Sequence, residues 1–207
     1  MKISYAVTVC NEYEEIQRLI SILLLHKEHD DEIVVLFDEK NGTANVWGYL
    51  RELEEQDWIK LESKLFGNHF ADWKNSLTDL CSGDYIFQID ADEYPNDIFI
   101  QNIHQIITEN KDNEVYYVPR VNTVEGLTQQ HIQKWRWNVN EEGWVNWPDY
   151  QMRIWKNKPE ITWKNKVHEV LQGYKTFSAL PAMEELSLYH PKEIKRQEKQ
   201  NDYYDTL

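Results

Sequence analysis

Cysteine is nearly missing from this chain of 207 residues, in which only Cys10 and Cys81 occur. Two thiols make neither a disulfide framework nor a zinc-ligand set, so both are expected as reduced side chains. Basic residues are also scarce. With 22 Lys and Arg against 36 Asp and Glu, the formal charge is −14. That balance argues against nucleic acid as a partner, because a surface that holds phosphates needs clustered Lys and Arg. Long apolar runs are lacking: Leu19 to Leu25 falls far short of the roughly 20 residues needed to cross a bilayer. The opening Met1-Lys2-Ile3-Ser4-Tyr5 has no charged lead followed by an apolar export segment. No integral membrane segment and a cytoplasmic location are therefore expected. Internal repeats and low-complexity segments are absent as well.

What is present is an alternation of strand and helix. Ile3, Tyr5, Val7 and Val9 share one face of a strand and Ser4, Ala6 and Thr8 the other, a pattern that suits a strand covered on both sides. Beyond Asn11, a candidate N-cap, Ile16, Leu19, Ile20, Leu23 and Leu24 recur at helical spacing, with Glu14 and Glu15 where the helix dipole favours acids. The run from Glu32 to Phe37 reads as a second buried strand ending at Asp38. A turn at Gly42, a helix near 45–55 and a short strand around 58–61 follow. Phe70, Trp73, Leu77 and Leu80 mark another helix, with Gly83 placed to end it, and Tyr85 to Ile89 form a strand that stops at Asp90. This order predicts an α/β fold with a parallel sheet, right-handed crossovers and helices on both faces. In such sheets the ligand crevice lies beyond the carboxyl ends of the strands, so Asn11, Asp38 and Asp90 should converge there.

The second half is less regular. A helix through Phe99, Ile103, Ile106 and Ile107 precedes Val115 to Val118, and a polar stretch with Trp135, Trp137, Trp144 and Trp147 runs to Pro148. Gln151 to Trp155 reads as a strand, and 191–207 as a charged helical tail. The length suits a single domain over 1–190, whose halves divide near residue 95.

The chemistry concentrates in Asp90-Ala91-Asp92-Glu93. Three carboxylates within four residues repel one another, and oxygen ligands of this kind suit Mg2+ or Mn2+ with phosphates completing the shell. A solvated acidic turn is the alternative reading of the same four residues. The run from Tyr5 to Glu12, the pair Phe37-Asp38, then Trp73-Lys74-Asn75 ahead of Ser82 to Glu93, together resemble the family 2 glycosyltransferases over about the first 95 residues.

That resemblance implies a GT-A (Rossmann-like) αβα sandwich with a mostly parallel central sheet, a nucleotide-sugar-binding half over 1–95 and an acceptor-binding half over 96–190. It also implies roles for individual residues. Asp90 contacts the donor nucleoside and joins Asp92 at the metal, Mn2+ or Mg2+. Asp38 bonds the base, Thr8, Val9, Glu12 and Ala91 line the donor pocket, and Lys74 with Asn75 approaches the donor phosphates. Lys74 stands where the family usually has Arg, a mild departure because Lys also binds phosphate. The sequence after Asp38 lacks the family's second aspartate followed by Gly-Ser.

In the second half, Pro148-Asp149 and Lys166-Val167-His168-Glu169 are similar to late motifs of the same fold. By that similarity Asp149 is the general base and His168 the third metal ligand. His190 stands in reserve as ligand, and Glu169 or Glu142 as base. An Asp after Pro is also a common turn or N-cap, and a lone His a common structural hydrogen-bonder. Arg153 supports a diphosphate or pairs with a neighbouring acid. Trp137, Trp144 and Trp147, set among polar residues, are expected to pack against the acceptor, with core packing as the alternative.

The expected reaction moves a hexose, UDP-glucose first, from a nucleotide-sugar donor to the hydroxyl of a saccharide or glycolipid acceptor, with inversion by direct displacement. A sugar-nucleotide nucleotidyltransferase would carry a Gly-rich phosphate loop after the first strand, where Asn11-Glu12-Tyr13-Glu14-Glu15 stands instead. A non-catalytic carbohydrate-binding relative would have no need of the acidic run.

Overall fold

A computed structural model describes residues 1–204. In the first half, strands β1 (Ile3–Val9), β2 (Glu32–Asp38), β3 (Lys60–Lys64) and β4 (Tyr85–Asp90) alternate with helices α1 (Tyr13–His26), α2 (Ala44–Glu55) and α3 (Phe70–Thr78). After β5 (Tyr94–Pro95) come α4 (Asp97–Glu109), β6 (Val115–Val118), β7 (Arg120–Glu125) and α5 (Gln129–Trp135). The chain then forms β8 (Gln151–Lys156), β9 (Thr162–Lys164), β10 (Val170–Gln172), β11 (Phe177–Ala179), β12 (Leu188–Glu193) and α6 (Ile194–Tyr204).

The central sheet has the order β11-β6-β8-β4-β1-β2-β3. Strands β1 to β4 run parallel, and β8 is antiparallel to both its neighbours, β4 and β6. Two cores result, one on each face. Ile3, Tyr5, Val7 and Val9 pack with Ile16, Leu19 and Ile20 of α1 and with Val46, Leu50, Phe99 and Ile103. Ala6, Val34 and Leu36 face Ala71, Trp73 and Leu77 of α3 together with Trp155 and Trp163. The alternation seen in the first strand is therefore the division between the two layers of helices.

Several expectations are corrected. The first helix begins at Tyr13 with Glu12 as N-cap rather than Asn11, and the Glu12 carboxylate instead accepts the backbone N–H groups of Cys10 and Asn11. The strand expected at 58–61 lies at Lys60–Lys64. Helix α3 ends at Thr78, so Gly83 does not end it. Gly83 is there for close approach: a Cβ would come within 2.7 Å of the Ser4 backbone nitrogen. Pro191 to Glu193 continue strand β12, paired in parallel with β7, so the final helix starts only at Ile194. The end of the expected tail, 205–207, lies outside the described residues. Cys10 and Cys81 are free thiols, and burial foremost pushes both up to about 12. Among the described residues no helix is long and apolar enough to cross a membrane.

Candidate active site

Thr8 near the end of β1 pairs in register with Asp90 at the end of β4 and with Leu36 of β2, so the carboxyl ends of these strands form one rim. Because β8 runs antiparallel to β4, its first residues, and Asp149 just ahead of them, return to that same rim. Between them lies a cleft of about 1050 Å3, just above the roughly 300–1000 Å3 usual for ligand sites. Thr8, Val9, Glu12, Asp38, Lys74, Asp90, Ala91 and Asp92 line it from the first half, and Trp137, Asp149, His168 and His190 from the second.

The carboxylates of the acidic run are not left facing one another. Arg153 places Nη2 2.6 Å from Asp90 Oδ2 and 2.6 Å from Glu93 Oε1, and Arg120 Nη1 donates to the same Glu93 oxygen at 2.8 Å. Glu93 is thus a buried anion held between two guanidiniums. Burial alone would push the Asp90 carboxyl up, but the charges of Arg153, Lys74 and Arg120 hold it well below the ordinary carboxylate range. Of the two readings of Arg153, the pairing with neighbouring acids is the one observed.

Asp92 faces a different set of partners. His190 Nε2 lies 3.4 Å and Arg196 Nη2 3.5 Å from Asp92 Oδ2. Burial opposes ionisation of this carboxyl as well, yet the hydrogen bond and charge of His190, with Lys192 nearby, keep it low. Arg196 of α6 also reaches Glu12 (3.0 Å) and Glu15 (2.8 Å), which ties the last helix to the start of α1.

The expected trio of Asp90, Asp92 and His168 does not assemble. Among the described residues no three of His, Cys, Asp and Glu are grouped closely enough to hold a metal ion. Asp90 is turned to Arg153, while His168 sits on the loop between β9 and β10 at φ 53° with its carbonyl accepting from Asn165. Two donors do meet, Asp92 and His190. A carboxylate oxygen and an imidazole nitrogen suit Mn2+ or Mg2+ when donor phosphates supply the remaining ligands, so these residues fit such a cation.

Asp149, at φ 34°, is held on one oxygen. Its Oδ2 accepts from Arg120 Nε (2.9 Å), Arg120 Nη2 (2.6 Å) and Asn122 Nδ2 (2.7 Å), whereas Oδ1 accepts from Gln151 Nε2 at a longer 3.2 Å. Burial would raise the Asp149 carboxyl, and Arg120 with Asn122 more than reverses this.

The remaining expected residues divide. Asp38 faces the cleft, with Oδ1 taken by the N–H groups of Lys40 and Phe66 and Oδ2 by Asn41 Nδ2. Lys74 lies 2.5 Å from Glu169 and 4.6 Å from the centre of the Trp163 ring. That contact occupies Glu169, one of the reserve bases. Glu142, the other, is exposed and lines a smaller neighbouring pocket. Asn75 is displaced from its expected role: its amide exchanges two hydrogen bonds with the backbone of Trp163 (3.0 and 2.8 Å), which staples α3 to β9. Trp144 and Trp147 pack on each other with ring centres 4.8 Å apart and do not line the cleft, where Trp137 does.

Arg120 and Asn122 were not expected. They alternate along β7, hence share a face, but their common partner Asp149 lies 29 and 27 residues further on and no local spacing announces that contact.

Residues 4–178 match the model of the family described as Glycosyl transferase family 2. The chain belongs to that family. Among solved structures, this family 2 chain resembles S. aureus TarS with a TM-score of 0.64 and 14% identity, over 92% of this chain and 37% of TarS. The TarS 1–349 structure in complex with UDP gives 0.61 at 14% identity, over 92% of this chain and 60% of that one. The corresponding complex with UDP-GlcNAc gives 0.60 at 14% identity, over 93% and 59%. The chain therefore spans less than two thirds of the proteins whose fold it shares. No curated protein matches it in sequence.

Proposed function

We propose that the chain transfers a hexose from a nucleotide-sugar donor, UDP-glucose first, to a hydroxyl of a saccharide or glycolipid acceptor, with inversion at the anomeric carbon. The observation that carries this reading is the meeting of Asp90, Asp92 and Asp149 at one rim of the cleft, in a chain that belongs to glycosyl transferase family 2. The TarS structures with UDP and UDP-GlcNAc support a uridine nucleotide before other donors.

In this reading Thr8, Val9, Glu12, Ala91 and Asp38 surround the nucleoside, Asp90 bonds it, and Lys74 approaches the diphosphate. Asp92 with His190 would hold Mn2+ or Mg2+, which supplies positive charge to the departing diphosphate. Asp149 takes the proton of the acceptor hydroxyl through Oδ1, its less occupied oxygen. Arg120 and Asn122 hold the other oxygen and fix the direction in which Oδ1 faces. Because its carboxyl is held low, Asp149 is ionised and ready to accept a proton across the neutral range. Trp137 packs against the acceptor sugar.

Titration calorimetry with UDP, UDP-glucose, UDP-GlcNAc and GDP-sugars, with and without Mn2+, tests the reading. Mn2+-dependent binding of one nucleotide class, followed by transfer to a saccharide seen by mass spectrometry, is expected. Absence of binding to every nucleotide under both conditions would overturn it.

A further inference from the structure

Strand β7 and strand β12 lie side by side in parallel, and their register places Asn122 directly opposite His190. Asn122 sits between the two chemical groups of the site. Its Nδ2 donates to Asp149 Oδ2 at 2.7 Å and to the Val145 carbonyl at 3.3 Å, and its Oδ1 lies 2.8 Å from His190 Nδ1. His190 in turn presents Nε2 to Asp92 at 3.4 Å.

The orientation of this amide follows from its partners. An ionised carboxylate and a backbone carbonyl can only accept, so both require the Asn122 NH2 group. Turned over, the amide would set its oxygen against the Asp149 carboxylate. The carbonyl oxygen is therefore left for His190. Since that oxygen cannot donate, His190 Nδ1 must carry the hydrogen between them. When the ring gives up the Nε2 proton that faces Asp92, as ligation of a cation requires, the hydrogen kept on Nδ1 leaves the lone pair on Nε2, 3.4 Å from Asp92 Oδ2. At that separation the Nε2 nitrogen and the Asp92 carboxylate are close enough to serve one cation as two ligands.

We infer that Asn122 is a positioning residue that fixes His190 in the Nδ1–H tautomer and so makes Nε2 a ligand nitrogen. The same amide holds Asp149. One side chain thus sets the direction of the proposed base and the electronic form of the proposed cation ligand. The inference rests on the reading of Asp92 and His190 as the cation site, but its first readout needs neither cation nor activity.

That readout is the 15N spectrum of the His190 ring in the metal-free protein. It is recorded at a pH high enough for the ring to be neutral and assigned by loss of the signal in His190→Gln. The Nδ1–H tautomer is expected in the wild type. Asn122→Ala should lose this preference. Mn2+ affinity of the unliganded protein should fall about 10–100-fold in Asn122→Ala. A wild-type ring in the Nε2–H form would overturn the inference even if no variant folds, and so would an unchanged tautomer in Asn122→Ala. Failure of the transferase reading appears elsewhere, as absent nucleotide binding with the Nδ1–H tautomer intact.

Discussion

Arg153 reaches from β8 across the sheet to Asp90, 63 residues earlier, and the two meet at 2.6 Å. A strand that runs against its neighbours thus delivers a buried cation to the first aspartate of the acidic run. The protein supplies its own counter-charge there, and Asp92 is left as the carboxylate that faces the imidazole.

Asp92→Ala removes that carboxylate. The Mn2+ dependence of donor binding should disappear in calorimetry. Unchanged affinity and unchanged cation dependence would move the cation site elsewhere.

Asp149→Asn keeps the shape of the side chain and removes the proton acceptor. Donor binding should remain and turnover should drop on the order of 10²-fold or more. Arg120 keeps Glu93 as a partner in this variant, so folding should survive. Full turnover would assign the base to another residue.

The tryptophans separate by position. Trp137→Ala should raise the acceptor KM and leave donor affinity alone, since Trp137 lines the cleft. Trp144→Ala removes the ring packed on Trp147 and should lower stability, by about 1–3 kcal/mol for a partly buried indole, with little effect on KM. Denaturant unfolding and steady-state kinetics on both variants distinguish the two roles.

Asn75→Ala tests whether that amide is a staple rather than a phosphate ligand. Loss of both hydrogen bonds to the Trp163 backbone should cost about 1–3 kcal/mol in urea unfolding. Donor affinity at a temperature where the variant is folded should stay at the wild-type value.

Acid should weaken the base of the sheet. Burial raises the Glu32 carboxyl, but hydrogen bonds from Lys2, Ser4 and Ser82 prevail and bring it from 4.5 to about 2. A group lowered on folding contributes stability that is complete above its unfolded value and is lost as pH falls through its folded one. Glu32 therefore contributes fully above about 4.5 and loses its contribution between there and about 2. Urea midpoints of wild type and Glu32→Gln should differ at pH 7 and converge toward pH 2.

Much of this arrangement was legible in the residues. Strands β1, β2 and β4 are long and covered on both faces, so they read as apolar runs, and each ends at a residue that lines the cleft. Strands β9, β10 and β11 have three residues each, too few for any period to show. Asn75 misled because an amide beside a lysine suits a phosphate as well as it suits a backbone, and only the approach of β9 decides between them. His190 was held in reserve because its neighbour on the sheet is 68 residues away in sequence, and Asn122 was missed for the same reason.

The place of β8 between β4 and β6 also bears on how the chain can be cut or assembled. Residues 1–95 on their own would expose the whole edge of β4, an unpaired row of backbone donors and acceptors with apolar side chains on either side. Such a fragment should self-associate rather than bind nucleotide as an independent unit. In the intact chain β6 and β11 join the parallel strands only through β8, so the pairing of Phe87 with Ile154 across 67 residues is the seam that holds the second half of the sheet to the first.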